Sequence, residues 1–277
     1  MRAQRRIWTW YLLTVLAVGL AVGVADGRLA SVSHLALHAL GLGVVWVLPV
    51  VGDRARAAWV AFAALGLPAA FSAVGLALPE LNPTPCEWAC LAFDRGLFGT
   101  DPTVVLARAL ARWQVEVLQL CYASFYLLPV ALGVALARAR RWRAFDVALN
   151  VITFGFLLSY LGYLIGPTLP PYRFLDHGVE LQGYGLAERI HALLHALEAN
   201  RFDCLPSGHT MLTLVTLALA WRDARRLFVI LLPIGAGLIV ATMALRYHYA
   251  IDVISGALLA PISVVLARRA SVDQSTQ

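Results

Sequence analysis

LFVILLPIGAGLIVATMAL, residues Leu227 to Leu245, contains no charged side chain and lies between Arg225-Arg226 and Arg246-Tyr247-His248. As a helix rising about 1.5 Å per residue, such a run matches the apolar core of a bilayer, about 30 Å thick. Comparable runs occupy Ile7–Val24, His34–Val51, Ala57–Leu78, Gln114–Ala137, Ala144–Ile165, Gly208–Trp221 and Tyr249–Ala267. The second and sixth are the shortest or most marginal. Of the 277 residues 60% are hydrophobic and only 14% charged, with a mean hydropathy of +0.74. A soluble domain carries about 25% charged residues. These values predict an all-α polytopic membrane bundle of about eight transmembrane helices, with the lipid bilayer as its surroundings.

The net charge of +6 comes from arginine alone, because the sequence has no lysine. Arginines gather at Arg2/Arg5/Arg6, Arg54/Arg56, Arg138/Arg140/Arg141/Arg143, Arg222/Arg225/Arg226 and Arg268/Arg269. Eight crossings put every group on one side, which the positive-inside rule makes the cytoplasm, with both termini there. The first run also has the flanks of a signal peptide and is read as an uncleaved span. The arginines sit in short links rather than in a basic–aromatic groove, so no nucleic-acid partner is expected.

Two long segments, Pro79–Trp113 and Gly166–Leu205, then face outward. Thr100-Asp101-Pro102 reads as a helix start followed by an interfacial helix over Val104–Trp113. Leu186–Ala199 reads as amphipathic, with His191 and His195 one turn apart on its polar face. Those histidines have a metal-ligand spacing but no clear third ligand, and a wetted face explains them as well. Cys86, Cys90 and Cys204 share the outer side, which leaves a disulfide open; Cys121 reads as a small apolar residue, and no cysteine spacing matches a zinc signature. Tyr163, Tyr172 and Tyr184 are candidates to line a headgroup pocket. Tyr122 and Tyr126 share a face with Gln119, and Glu116 and Asn150 are candidate contacts inside the bundle.

The outer ends of the later spans carry the chemistry. In Pro206-Ser207-Gly208-His209-Thr210, proline suits a first helical turn, where unpaired N–H groups and the helix dipole favour an anion. Gly208 lets a ligand approach the backbone. Forty residues on, His248 and Asp252 stand one helical turn apart, so the carboxylate can accept an imidazole N–H and fix its tautomer. Two imidazoles on one membrane surface suit a two-step transfer: one attacks phosphorus while the other protonates the departing oxygen.

Together these residues resemble the type 2 phosphatidic acid phosphatase superfamily. The resemblance covers roughly residues 57–267, leaving residues 1–56 as accessory helices before a six-helix core and residues 268–277 as a cytoplasmic tail. It implies that His248 is the nucleophile forming a phosphohistidine, His209 the general acid, and Asp252 the residue orienting His248. It also implies a membrane lipid phosphate or phospholipid as substrate, with no metal or other cofactor. A bacterial plasma membrane is the expected setting, and the arginine distribution puts the site on its extracytoplasmic side. The phosphatase branch opens with Lys-x6-Arg-Pro, absent here, and has an arginine where this chain has Thr242. Gly166-Pro-Thr-Leu-Pro-Pro-Tyr-Arg173 and Leu245-Arg-Tyr-His-Tyr249 look more like inositolphosphorylceramide synthases, and Ser207-Gly-His-Thr210 also resembles sphingomyelin synthases. Arg246 and Arg173, with Ser207 and Gly208, are therefore the candidate phosphate or substrate ligands. Water and an alcohol remain equal candidates as acceptor. The rival expectations are a transporter with a proton-relay His/Asp pair, or a scaffold whose site has decayed; oligomeric state is not legible.

Overall fold

The computed structural model describes residues 1–25, 32–197 and 200–272; the regular structure among these is helical, with no strand. In chain order the helices are α1 (Arg2–Ala25), α2 (Val32–Val47), α3 (Asp53–Leu81), α4 (Glu87–Phe98), α5 (Pro102–Ala109), α6 (Arg112–Ala123) and α7 (Leu127–Arg138). They continue as α8 (Trp142–Ile165), α9 (Pro171–Phe174), α10 (Leu186–Leu197), α11 (Gly208–Asp223), α12 (Arg225–Ala244) and α13 (Ala250–Val272). α13 runs on to Val272, into the tail expected at 268–277, whose residues 273–277 lie outside the described residues, as does the end of the amphipathic segment at 198–199.

Among the described residues five helices are long and apolar enough to cross a membrane: α1, α3, α8, α12 and α13. A sixth crossing forms if α6 and α7 are taken together, although they meet at a bend of 52°. The uninterrupted helix expected over Gln114–Ala137 is thus two helices. Pro129 explains the break: it has no N–H for the carbonyl of Phe125, and its ring crowds that carbonyl. The freed turn closes locally, with Ser124 Oγ donating to Cys121 O at 2.6 Å.

The interfacial helix expected over Val104–Trp113 ends earlier, at Ala109. Leu110 and Ala111 are extended, and Ala111 N donates to Gln114 Oε1 at 2.7 Å, which starts α6. α11 is short at 16 residues and is the central element. Met211, Leu212, Val215, Leu219 and Ala220 are buried all round it, between α7, α8, α12 and α13. A helix enclosed by protein needs no lipid-facing stripe, which is why its hydropathy is marginal.

The arginine-rich links meet at one end of the bundle. Arg141 Nη1 donates to Asp223 O at 2.7 Å, joining the α7–α8 and α11–α12 links. Arg56 pairs with Asp146 at 2.8 Å and lies over the Trp142 ring, bringing the start of α3 to the start of α8. α8, α11 and α12 then run to the opposite end, where α4, α5, α9 and α10 form a cap. There Glu87 Oε1 accepts from Leu169 N at 2.8 Å, and Glu116 accepts from Tyr184 N and Leu186 N. Glu116 therefore caps the 184–186 segment and is not a contact inside the bundle.

Candidate functional site

The site forms where α11 and α13 begin side by side. Ser207 caps α11, its side chain accepting from Thr210 N at 3.2 Å. Its own N–H donates to Asp252 O at 2.9 Å, tying the two helix starts together. The approach is close enough to require glycine at 256, where a Cβ would lie 2.4 Å from the backbone oxygen Ser207 O; on the side facing α8, a Cβ on Gly208 would lie 2.8 Å from Tyr163 Oη. Small residues at helix contacts are how membrane helices gain packing energy, since lipid gives no hydrophobic drive between them.

His248 sits in the link between α12 and α13. Its N–H and that of Tyr247 both donate to Thr242 O, at 2.8 and 2.9 Å, so the link folds back on the end of α12. His248 Nδ1 lies 3.4 Å from Asp252 Oδ2, and Nε2 lies 3.3 Å from His209 Nδ1. Asp252 Oδ2 also accepts from Tyr249 N at 2.9 Å, which fixes the carboxylate behind the ring. His248, Asp252 and Ser207 are all buried. Burial pushes the His248 imidazole down to about 3, with the Cys204 backbone opposing, so the ring is neutral across the ordinary range. With a proton on Nδ1 facing Asp252, Nε2 keeps a lone pair.

His209 is packed between rings, stacked on Tyr122 at 4.6 Å between centroids and tilted against Phe125 at 4.3 Å. Tyr122 in turn stacks on Tyr247 at 4.0 Å. Tyr247 Oη bonds to Gln119 Oε1 at 3.0 Å and to His191 Nδ1 at 2.8 Å. Tyr122, in the last turn of α6, and Phe125, in the bend between α6 and α7, both contact His209. Sequence reading put Tyr122 inward, as found, but missed the ring ladder and the His191–Tyr247–Gln119 chain. The available signal was the spacing of Gln119, Tyr122 and Phe125 on consecutive turns. Tyr126 instead points outward, 60% exposed.

Three hollows adjoin the ladder. One of about 350 Å³ is lined by Gln119, Tyr172, Glu180, His191, Arg246 and Tyr247. A second, about 320 Å³, shares Tyr172, Glu180 and Arg246 with it. The third, about 430 Å³, is an apolar groove between α3, α7 and α8, with Leu67, Tyr126, Gly133, Phe156 and Tyr160 on its walls. Phe156 meets Phe125 at 5.8 Å, so one ring separates that groove from His209.

Arg246 has a left-handed backbone, φ 68°, held by Tyr172 N donating to its carbonyl at 3.1 Å. Its guanidinium donates to Val179 O at 2.6 Å and faces both polar hollows, and partial burial lowers its pKa. Arg173 lies against Tyr172 and reaches His195 Nε2 at 2.8 Å. Of the residues singled out in the sequence, Ser207, Gly208, His209, His248 and Asp252 come together, whereas Arg246 and Arg173 stand further out in the cap. All four cysteines are free, so no disulfide forms among Cys86, Cys90 and Cys204. Cys204, His248 and Asp252 each offer a ligand atom within 4.8 Å of the others, a grouping able to hold a metal ion. Cys204 Sγ is instead turned to Tyr247 O at 3.4 Å, and the imidazole is engaged by the carboxylate.

A family model of the PAP2 superfamily matches residues 88–266, a stretch that includes all of α4 but Glu87, α11, the α12–α13 link and both imidazoles. The chain belongs to the PAP2 superfamily. This places it among membrane lipid phosphatases and phosphotransferases, and its apolar helices make it an integral membrane protein. It is also 25% identical, over 90% of its own length and 87% of the relative's, to a protein of Bacteroides thetaiotaomicron named phosphoinositol dihydroceramide synthase. No solved structure matches it.

Proposed function

We propose that this PAP2 protein moves a phosphoryl-bearing group from a membrane lipid to an acceptor hydroxyl through a covalent intermediate on His248. The carrying observation is the meeting of two imidazoles from segments forty residues apart, 3.3 Å between facing nitrogens, with a carboxylate behind one of them. His248 Nε2 attacks phosphorus as the bond to the leaving oxygen breaks, and His209 gives that oxygen a proton. An acceptor hydroxyl then loses its proton to His209 and attacks, releasing His248. Asp252 keeps the His248 tautomer and stabilises the imidazolium that forms. First-turn N–H groups of Gly208 and His209 carry charge on the phosphoryl oxygens, capped by Ser207. Arg246 and Arg173 draw the anionic lipid into the cap, and no metal is required.

The hollows support a lipid with a polar headgroup. The apolar groove between α3, α7 and α8 takes acyl chains, one ring layer from His209. The hollow under Gln119, His191 and Arg246 takes the headgroup or the acceptor. That polar hollow, and the name of the Bacteroides relative, favour an alcohol over water. The opposition of the arginine-rich end and the imidazole end of the bundle supports, by the positive-inside rule, a reading with the site outside a bacterial plasma membrane and both termini inside. Eight crossings, with α2 and α11 as the short ones and residues 1–56 as an accessory pair, fit this arrangement.

The test is to incubate the purified protein in lipid with a panel of lipid phosphates and phospholipids plus a long-chain alcohol, following free phosphate and new lipids by mass spectrometry. A headgroup-exchanged lipid is expected from the wild type and none from His248→Ala. Free phosphate alone would make it a hydrolase, and equal products from both proteins would remove the mechanism.

A further inference from the structure

α4 buries one face: Glu87, Cys90, Leu91 and Asp94, at helical spacing i, i+3, i+4 and i+7, are each at most 3% exposed. Two carboxylates in such a face require partners. Glu87 holds Leu169 N, whereas Asp94 reaches across to α13. Asp94 Oδ2 accepts from Ala250 N at 2.8 Å, and Oδ1 accepts from Ile251 N at 3.0 Å. Those are the first two amides of the helix that carries Asp252.

A helix start usually finds these acceptors in its own capping side chain. Here the residue before α13 is Tyr249, whose ring offers none, and Cys90 and Leu91 pack against that ring. The next amide back, Tyr249 N, goes to Asp252 Oδ2, the same oxygen that faces His248. Asp252 Oδ1 has no partner among the described residues. The position of the Asp252 carboxylate therefore depends on the first turn of α13 being set, and a side chain from another helix sets it. We propose that Asp94 is a positioning residue for the reaction: it caps α13 from α4 and so holds Asp252 at His248. This rests on the reading of His248 as the nucleophile.

Because it acts on the carboxylate and not on substrate, its loss lowers turnover and leaves binding alone. Losing a cap of this kind corresponds to about 3- to 30-fold in rate if it is felt wholly at Asp252. The experiment compares wild type, Asp94→Asn, Asp94→Glu, Asp252→Asn and the Asp94→Asn/Asp252→Asn pair in proteoliposomes, with His248→Ala as control. Rates are counted per folded protein from size-exclusion peaks. Asp94→Asn is expected to reduce kcat about tenfold with KM within about twofold, and Asp94→Glu, which keeps the charge, to reduce it less. On an Asp252→Asn background the Asp94 change is expected to cost little more, since both act through one carboxylate. Unchanged kcat in Asp94→Asn and Asp94→Glu would overturn the proposal. So would KM rising in step, or a full multiplicative loss in the pair. If the asparagine variant yields no folded protein, the glutamate variant decides alone by the same kcat and KM split. Wild type no faster than His248→Ala would instead overturn the enzymatic reading.

Discussion

His248 can attack only through Nε2, because Nδ1 faces Asp252, and its neighbour His209 waits on that side with Nδ1. Replacing His248 by alanine is expected to abolish turnover, and Asp252→Asn to reduce kcat by about two to four orders of magnitude, as loss of an orienting carboxylate does elsewhere. A lipid binding assay on the same variants should show affinity within a few-fold of wild type. The protonation of His248 gives a second prediction. An imidazole attacks only when neutral, and burial pushes this one down to about 3. Lowering the pKa extends the neutral form to more acidic conditions, so the acid limb of kcat/KM should fall well below pH 6.5, the usual midpoint of histidine. A phosphodiester donor keeps substrate charge constant during that titration. An acid limb centred at 6.5 would mean that the free enzyme holds this ring in water.

At the scale of helices, α11 and α13 meet at Gly256. Gly256→Ala would set a Cβ 2.4 Å from Ser207 O, against backbone that cannot swing away. It is expected to destabilise the protein by about 1–3 kcal/mol and to cut turnover by moving His209 from His248. Gly96→Ala, in α4 with nothing within 4 Å of its Cβ, is the control. It should be neutral or stabilising by up to about 1 kcal/mol, read by thermal melting in detergent. The sequence makes most of these helices visible, since long charge-free runs have few other uses. It shows Ser207, Gly208, His209, His248 and Asp252 as well, because polar residues at span ends stand out against an apolar background. The break in Gln114–Ala137 was hidden because hydropathy averages over Pro129, which ends a helix without changing its apolarity. Asp94 was hidden for a different reason. A cap supplied by another helix leaves no local spacing pattern, only an acidic residue in an otherwise ordinary amphipathic turn.

For the whole molecule, sidedness is carried by arginine links at one end and the site at the other. Val179→Cys in the cap and Arg140→Cys in the α7–α8 link, each in a Cys86→Ser background, test it directly. A membrane-impermeant maleimide added to intact cells is expected to label position 179 and to reach position 140 only after lysis. The reverse pattern would place the reaction on the cytoplasmic side. The charge pattern of the sequence sets residues 203–210 and 246–252 at one surface, but the contact between the two link regions is visible only in the fold. The direct measurement is the covalent state of His248 during turnover. Purified protein is mixed with donor lipid, quenched at alkaline pH where phosphohistidine survives, and digested for peptide mass spectrometry. The mass of phosphate or phospho-headgroup should appear on the peptide bearing His248, forming and decaying as fast as product accumulates, and vanish in His248→Ala. Turnover at the wild-type rate with that peptide unmodified throughout would contradict a covalent route through this imidazole.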